Sequence, residues 1–275
     1  MIDILLITLS VLAAIFLLFV LLYLLVLIPP RGRKPKKKTL LCDYAHRGLH
    51  GNGIPENSLA AFSLACEKGY GIELDVQLSR DGTVMVFHDA ALSRMTGVDN
   101  NLSALSAMEL RELSLAGTKE TIPTFAEVLS LVNGRVPLLV ELKGEDFDTS
   151  LCEKTAELLS SYQGDFCIES FNPLLIRAMK KYLPDAFYGI LYTNVCREKK
   201  KKSVLNIALT MMATNILARP DFIAYDQRER NTFPVKMTTK CYRASKFVWT
   251  VRTEEALETA HMNGECAIFE KEDTL

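Results

Sequence analysis

The stretch Gly71-Ile72-Glu73-Leu74-Asp75-Val76-Gln77-Leu78-Ser79-Arg80-Asp81-Gly82-Thr83-Val84-Met85-Val86-Phe87-His88-Asp89 holds two short apolar runs joined by a few polar residues. Asp-Gly between such runs is a hairpin signal. A parallel crossover would need a dozen or more residues. Val84–Phe87 is therefore predicted to return antiparallel to Gly71–Val76. On either side of this pair, further strand-like runs occur at Leu41–Ala45, Pro137–Leu142, Phe166–Glu169, Phe187–Leu191, Phe222–Tyr225, Phe247–Val251 and Ala267–Phe269. Helical patterns separate most of them: Ser58–Lys68, Thr124–Val132, Thr149–Tyr162, Pro173–Tyr182 and Glu254–Met262. Thr124 and Glu127 have capping-box spacing. Strand–helix alternation predicts an α/β protein with a parallel sheet. Once the hairpin strand is set aside, eight strands remain, which predicts a (β/α)8 TIM barrel over residues 40–275 with a hairpin and an insertion after strand two. Residues 90–136 then hold an excursion as well as a helix.

In such a barrel the chemistry gathers at the C-terminal ends of the strands. Glu73 and Asp75 are two apart on one strand, so both side chains share a face. On a surface strand they would be merely solvated; in an apolar barrel strand they point inward. Glu141, at the end of the next parallel strand, adds a third carboxylate. Inward carboxylates repel one another unless a cation or proton intervenes, and a set of oxygen donors suits a hard divalent ion, Mg²⁺ or Ca²⁺. His46 and His88 each follow an apolar strand. Alone, each would read as structural; together beside the carboxylates they read as a general acid and base. Arg47 and Lys143 offer positive charge to an anionic substrate, and the arginine fork matches phosphate. The combination points to phosphodiester cleavage.

With those residues in view, the chain resembles the glycerophosphodiester phosphodiesterase family. The resemblance rests on Ala45-His46-Arg47-Gly48, Pro55-Glu56-Asn57-Ser58-Leu59-Ala60-Ala61-Phe62, Glu73-Leu74-Asp75-Val76, Asp81-Gly82, Val86-Phe87-His88-Asp89, Ile122-Pro123-Thr124, Glu141-Leu142-Lys143, Ser170-Phe171 and Trp249-Thr250-Val251. The resemblance implies Glu73, Asp75 and Glu141 as metal ligands, His46 and His88 as the acid–base pair, and Arg47 and Lys143 as the phosphate clamp. It implies hydrolysis of a glycerophosphodiester to glycerol 3-phosphate and an alcohol. A course in keeping with it is attack on phosphorus by the glycerol 2-hydroxyl, assisted by one histidine. The other protonates the leaving alkoxide, and water then opens the cyclic intermediate. Which histidine has which role is left open. Glu56 and Asn57 either support the site by hydrogen bonding or mark a helix start, for which Asn57 or Ser58 is suited. Trp249 either packs on substrate or belongs to the barrel core. The chain departs from the family pattern at Ala267-Ile268-Phe269-Glu270, where Gly-Ile-x-Thr-Asp is common, and at Glu169, where a small residue is common. Glu169 contacts the metal, a histidine or a substrate amine if it points inward, and is a surface charge if it points outward.

The N-terminus is of a different kind. Ile4 to Ile28 is 25 residues without a charge, enough to cross a hydrocarbon core of about 30 Å. A cleaved signal peptide fits less well, since no basic n-region precedes the run and no small-residue cleavage site follows it. Residues 1–28 are thus read as a single transmembrane helix and 29–39 as a basic juxtamembrane linker. Six of the 32 basic residues, but only one of the 33 acidic ones, lie in residues 1–38; the remainder holds 26 against 32. Basic residues just after the helix place the catalytic domain in the cytoplasm. The overall balance of 32 basic against 33 acidic residues points to no nucleic-acid partner. Seven cysteines, widely spaced and without a CxxC pair, indicate neither a disulfide framework nor a zinc site. Residues 197–218 join Arg197 and Lys199–Lys202 to an apolar run from Val204 to Ala218, read either as an interfacial helix on the bilayer or as a barrel helix with an extended loop. The substrate is then a small or lipid-derived phosphodiester. A lysophospholipase D using the same residues is the alternative; a phosphoinositide-type phospholipase C fits the carboxylate pattern less well. A catalytically dead, membrane-bound barrel would ordinarily lack one of the motif residues, all of which are present.

Overall fold

The structure, a computed structural model, describes residues 2–144 and 148–270. Among the described residues, nine strands form one sheet: β1 Tyr44–Ala45, β2 Gly71–Leu78, β3 Val84–Val86, β4 Leu138–Leu142, β5 Phe166–Ser170, β6 Phe187–Tyr192, β7 Phe222–Asp226, β8 Ser245–Val251 and β9 Cys266–Phe269. All pair in parallel with their neighbours except β3, and β1 pairs with both β2 and β9, closing an eight-stranded barrel. β3 runs antiparallel to the C-terminal extension of β2, Val76 opposite Val86. The hairpin expected from Asp81-Gly82 is thus present, as is the eight-stranded barrel.

Side-chain alternation divides the barrel into a wet mouth and a dry base. On β4, Leu138, Val140 and Leu142 face the surrounding helices. Leu139 joins Leu40, Tyr44, Cys167, Phe222 and Phe247 in a second apolar cluster, and Glu141 lies two residues further on. The base is therefore hydrocarbon, and the layer above it, towards the C-terminal strand ends, is acidic. Burying those apolar side chains, at about 1.5–3 kcal/mol for each large one, supports the cost of the acidic layer.

The chain after the hairpin builds a satellite core from Met85, Phe87, Leu92, Met95, Leu102, Leu110, Leu115 and Ile122. The helix Phe125–Val132 follows, and its Thr124–Glu127 capping box is formed in both directions. Two expectations need correction. The first strand is Tyr44–Ala45 rather than Leu41–Ala45, because Lys38–Leu40 forms a 3-10 turn that drops Leu40 into the barrel base. Asp43 spends its carboxylate on the Ala267 N–H (2.9 Å) and the His261 ring (2.7 Å). The apolar run 204–218 is two short helices, Val204–Thr210 and Asn215–Ala218, not one.

Helix α1, Ile2–Leu22, continues through a wider turn to Leu27. The span Asp3–Leu27 is long and apolar enough to cross a membrane. Residues 29–39, expected as a linker, lie along the base of the barrel. The Arg31 N–H donates to the Pro220 carbonyl (2.7 Å), Arg33 pairs with Asp221 (3.2 Å), Lys36 with Asp185 (3.1 Å) and Lys37 with Asp165.

Candidate active site

The chain leaves β1 through His46, Arg47 and Gly48, a turn with φ of 55° at Arg47 and 81° at Gly48. A Cβ at Gly48 would come within 2.9 Å of Ala61 Cβ and Phe62 Cδ1, so only glycine permits both the left-handed backbone and the close approach of the following helix. The turn is fastened to β2: the Arg47 N–H donates to Glu73 Oε2 (2.8 Å) and the Gly48 N–H to the Glu73 carbonyl (3.2 Å). Arg47 and Glu73 are thereby held at one rim of the mouth.

Glu73, Asp75 and Glu141 are buried, with one oxygen of each within 4.8 Å of the others. Strand register places Asp75, Glu141 and Glu169 side by side across β2, β4 and β5. Glu169 therefore points inward, 1% exposed, with Oε2 lacking a hydrogen bond. Burial and the neighbouring carboxylates raise Glu73 and Glu169 well above the usual carboxylate range. Burial pushes Glu141 up to about 7 against the pull of Lys143. Asp75 is depressed despite its burial: Lys143, His88 and Arg47 favour its charge, and Asn57 Nδ2 donates to it at 2.9 Å. Lys143 Nζ lies 3.1 Å from Asp75 and 2.8 Å from Glu141. Four inward carboxylates repel one another, and the three oxygen donors of Glu73, Asp75 and Glu141 fit a hard divalent cation, whose charge would favour their ionised forms.

Each histidine is backed by a carboxylate and an arginine. His46 Nδ1 is 2.6 Å from Glu270 Oε1, and Arg252 donates to the other Glu270 oxygen at 2.7 Å. His88 Nδ1 is 2.7 Å from Asp89 Oδ1, and Arg94 donates to Asp89 Oδ2 at 2.6 Å. A carboxylate on Nδ1 fixes the proton there and leaves Nε2 to exchange protons; His46 Nε2 lies 3.9 Å from Glu73. Burial lowers both imidazoles, with Glu270 and Asp75 respectively opposing it most. Glu270 is half-buried, which would raise it, yet His46 and Arg252 hold it down to about 2.

The sequence-predicted residues thus converge on one mouth, with different degrees of involvement. Glu56 does not reach the carboxylate cluster; it receives Arg47 (2.8 Å) and Arg94 (2.6 Å) and so orients the arginine. Asn57 bonds Asp75, while Ser58 caps the helix Leu59–Lys68, so the two readings of that segment belong to adjacent residues. Trp249 donates its indole N–H to the Ala224 carbonyl (3.0 Å) and meets Phe171 edge-on at 5.8 Å, placing an aromatic wall at the rim. Glu270, Asp89, Arg94 and Arg252 were not singled out from the sequence. The acid directly after His88 was a usable signal. Glu270 stood in plain view as a departure from the family pattern, and Arg94 and Arg252 had no local signal at all.

Residues 46–269 match the model of the glycerophosphoryl diester phosphodiesterase family. The chain belongs to this family. Its enzyme class is accordingly that of a glycerophosphodiester phosphodiesterase. A glycerophosphodiester phosphodiesterase of Caldanaerobacter subterraneus is 37% identical over 167 residues, covering 56% of this chain and 67% of the relative. A lysophospholipase D of Rattus norvegicus is 32% identical over 155 residues, covering 51% of this chain and 48% of the relative. Such alignments span from about half to two thirds of the relatives' length. Among solved structures, an Oleispira antarctica phosphodiesterase in complex with the product sn-glycerol-3-phosphate superposes with a TM-score of 0.70 at 25% identity, covering 83% of this chain and 92% of that one.

Proposed function

We propose that this chain hydrolyses glycerophosphodiesters to glycerol 3-phosphate and an alcohol at a membrane surface, with His46 and His88 exchanging the protons. The observation that carries this reading is the pair of imidazoles, each with Nδ1 tied to a carboxylate, beside a buried acidic triad. A phosphodiesterase with sn-glycerol-3-phosphate bound among its structural neighbours supports the product.

A divalent cation on Glu73, Asp75 and Glu141, Mg²⁺ or Ca²⁺, would supply Lewis-acid polarisation of the phosphoryl group and neutralise developing charge. The chain's own residues do the rest. Arg47 and Lys143 offer donors to phosphate oxygens, exchanging their carboxylate partners for substrate. One imidazole Nε2 takes the proton of the glycerol 2-hydroxyl as its oxygen bonds to phosphorus. The other gives its proton to the oxygen of the departing alcohol as the P–O bond breaks. Water then opens the cyclic phosphodiester with the proton transfers reversed, which returns both imidazoles to their starting states. Positioned acid–base catalysis of this kind contributes about 10²–10⁴-fold.

Asp3–Leu27 is read as a single membrane span with the barrel on the cytoplasmic side, in keeping with the basic residues that follow it. The test is release of glycerol 3-phosphate from glycerophosphocholine, glycerophosphoethanolamine and glycerophosphoglycerol by the full chain in lipid nanodiscs, with Mg²⁺ or Ca²⁺ and with chelator. Release that chelator abolishes is the expected result. A folded, metal-loaded protein that releases nothing from any diester would overturn the reading.

A further inference from the structure

A cavity of about 660 Å³ adjoins the carboxylate site: Glu141 and Lys143 share its lining with the apolar side chains of Phe171, Tyr192, Leu205, Leu209 and Leu217. Its volume lies within the range of about 300–1,000 Å³ usual for small-molecule sites. Glycerol and phosphate need only its polar part. The apolar remainder is unexplained by a small polar diester.

The docking of α1 shows what that remainder faces. The segment 204–218 descends from the mouth end of β6 to the base of β7. The residues after α1 descend alongside it: Tyr23 Oη donates to the Met211 carbonyl (2.8 Å), Asn215 Nδ2 to the Ile28 carbonyl (2.8 Å), and the Arg31 N–H to the Pro220 carbonyl at the base. Read backwards from Ile28, the chain climbs the side of the barrel, and α1 projects past the catalytic mouth. Its 21 residues are about 30 Å long, the thickness of a hydrocarbon core. A bilayer spanned by α1 therefore lies over the active site, not under the base. Arg31–Lys38 are on the far side from it. Lys199–Lys202, all exposed, stand beside the apolar lining of the cavity, next to Val204 and Leu205, which are 87% and 63% exposed.

From this arrangement, and resting on the membrane-held phosphodiesterase reading above, we infer that the cavity seats one acyl chain of a lipid glycerophosphodiester drawn from the overlying bilayer. The phosphorus sits at Lys143 and the tail runs along Phe171 and Tyr192 to Leu205, Leu209 and Leu217. A lipid acylated only at the glycerol 1-position keeps the 2-hydroxyl that the proposed attack requires, so the substrate class is the lysophospholipid.

The test compares choline release from glycerophosphocholine with that from hexanoyl-, octanoyl- and decanoyl-lysophosphatidylcholine below their micelle concentrations, using the full chain in nanodiscs. kcat/KM is expected to rise with chain length, by at most about fourfold per methylene, until the cavity is filled. Leu205→Asp, at an exposed position, and Leu209→Trp, which fills the cavity, are expected to lower the decanoyl-to-glycerophosphocholine ratio of kcat/KM at least tenfold. A ratio that is independent of chain length, or unchanged in both variants while glycerophosphocholine is still cleaved, would overturn the tail seat and leave the phosphodiesterase reading standing. Failure to cleave any of the four substrates would overturn both.

Discussion

Replacing Glu270 with glutamine keeps an oxygen beside His46 and removes the charge. The bond concerned is 2.6 Å long and joins imidazole Nδ1 to a carboxylate that Arg252 also holds. Hydrogen bonds to charged groups contribute about 1.5–3 kcal/mol. This one gains strength as His46 becomes imidazolium, a state it enters whichever proton transfer it performs. The substitution therefore acts on the transition state more than on substrate binding. At about 1.4 kcal/mol for each factor of ten, kcat is expected to fall roughly 10- to 100-fold while KM for glycerophosphocholine stays within about twofold. The pH profile supplies an independent sign. Glu270 favours the protonated imidazole and opposes the lowering caused by burial. Without its charge the His46 pKa drops further, so the limb of the pH–rate profile that His46 controls moves to lower pH, whether that limb is acidic or alkaline. Steady-state choline release between pH 5 and 9 measures both quantities. A variant with unchanged kcat, a rise in KM alone, or a limb moving to higher pH would refute the pairing of Glu270 with His46 as part of catalysis.

Three further outcomes follow from the buried charge. Asn57→Ala removes the 2.9 Å bond to Asp75 and puts alanine where φ is 53°; a loss of about 2–3 kcal/mol and about tenfold weaker Mg²⁺ or Ca²⁺ binding are expected from melting curves and metal titration. Glu169 has its folded pKa raised by burial and by Glu141, so the folded state holds its proton more tightly than the unfolded state and stability falls as pH climbs above the normal carboxyl value. Glu169→Gln is accordingly expected to raise the melting temperature of the chelated protein at pH 8 and to change it little at pH 4; equal effects at both would disprove the assignment. Removal of divalent ions is expected to lower the melting temperature, since ion at 100 times its Kd contributes about 2.7 kcal/mol, or roughly 5–10 °C for a domain of this size; a calorimetric trace indifferent to chelator would exclude a metal on Glu73, Asp75 and Glu141.

What could be read in advance was whatever a local pattern encodes. Asp81-Gly82 dictated a hairpin, Thr124 and Glu127 a helix start, and the alternation in Glu73-Leu74-Asp75 an inward-facing pair of carboxylates, all of which appear in the fold. The misread elements were decided by distant partners. The helix beginning at Val204 ends at Thr210 because tyrosines from elsewhere take its carbonyls: Tyr192 Oη bonds the Thr210 carbonyl (2.9 Å) and Tyr23 Oη that of Met211. The first strand is short because Leu40 is needed to fill the barrel base and Asp43 is drawn to Ala267 and His261. The site behaves likewise. Its inward-facing carboxylates follow from strand periodicity, whereas the arginines behind the histidines belong to no pattern or motif: Arg94 comes from the insertion after the hairpin and Arg252 from the loop after β8, far along the chain from His46.

The most direct test of the central claim is release of glycerol 3-phosphate by His46→Ala, His88→Ala and the double variant, in metal-loaded protein whose folding is verified by its melting temperature. Because both imidazoles serve one turnover, each single variant is expected to lose about 10²–10⁴-fold in kcat, and the double variant little more than the slower single one. Release that persists at the wild-type rate in either single variant would contradict the account.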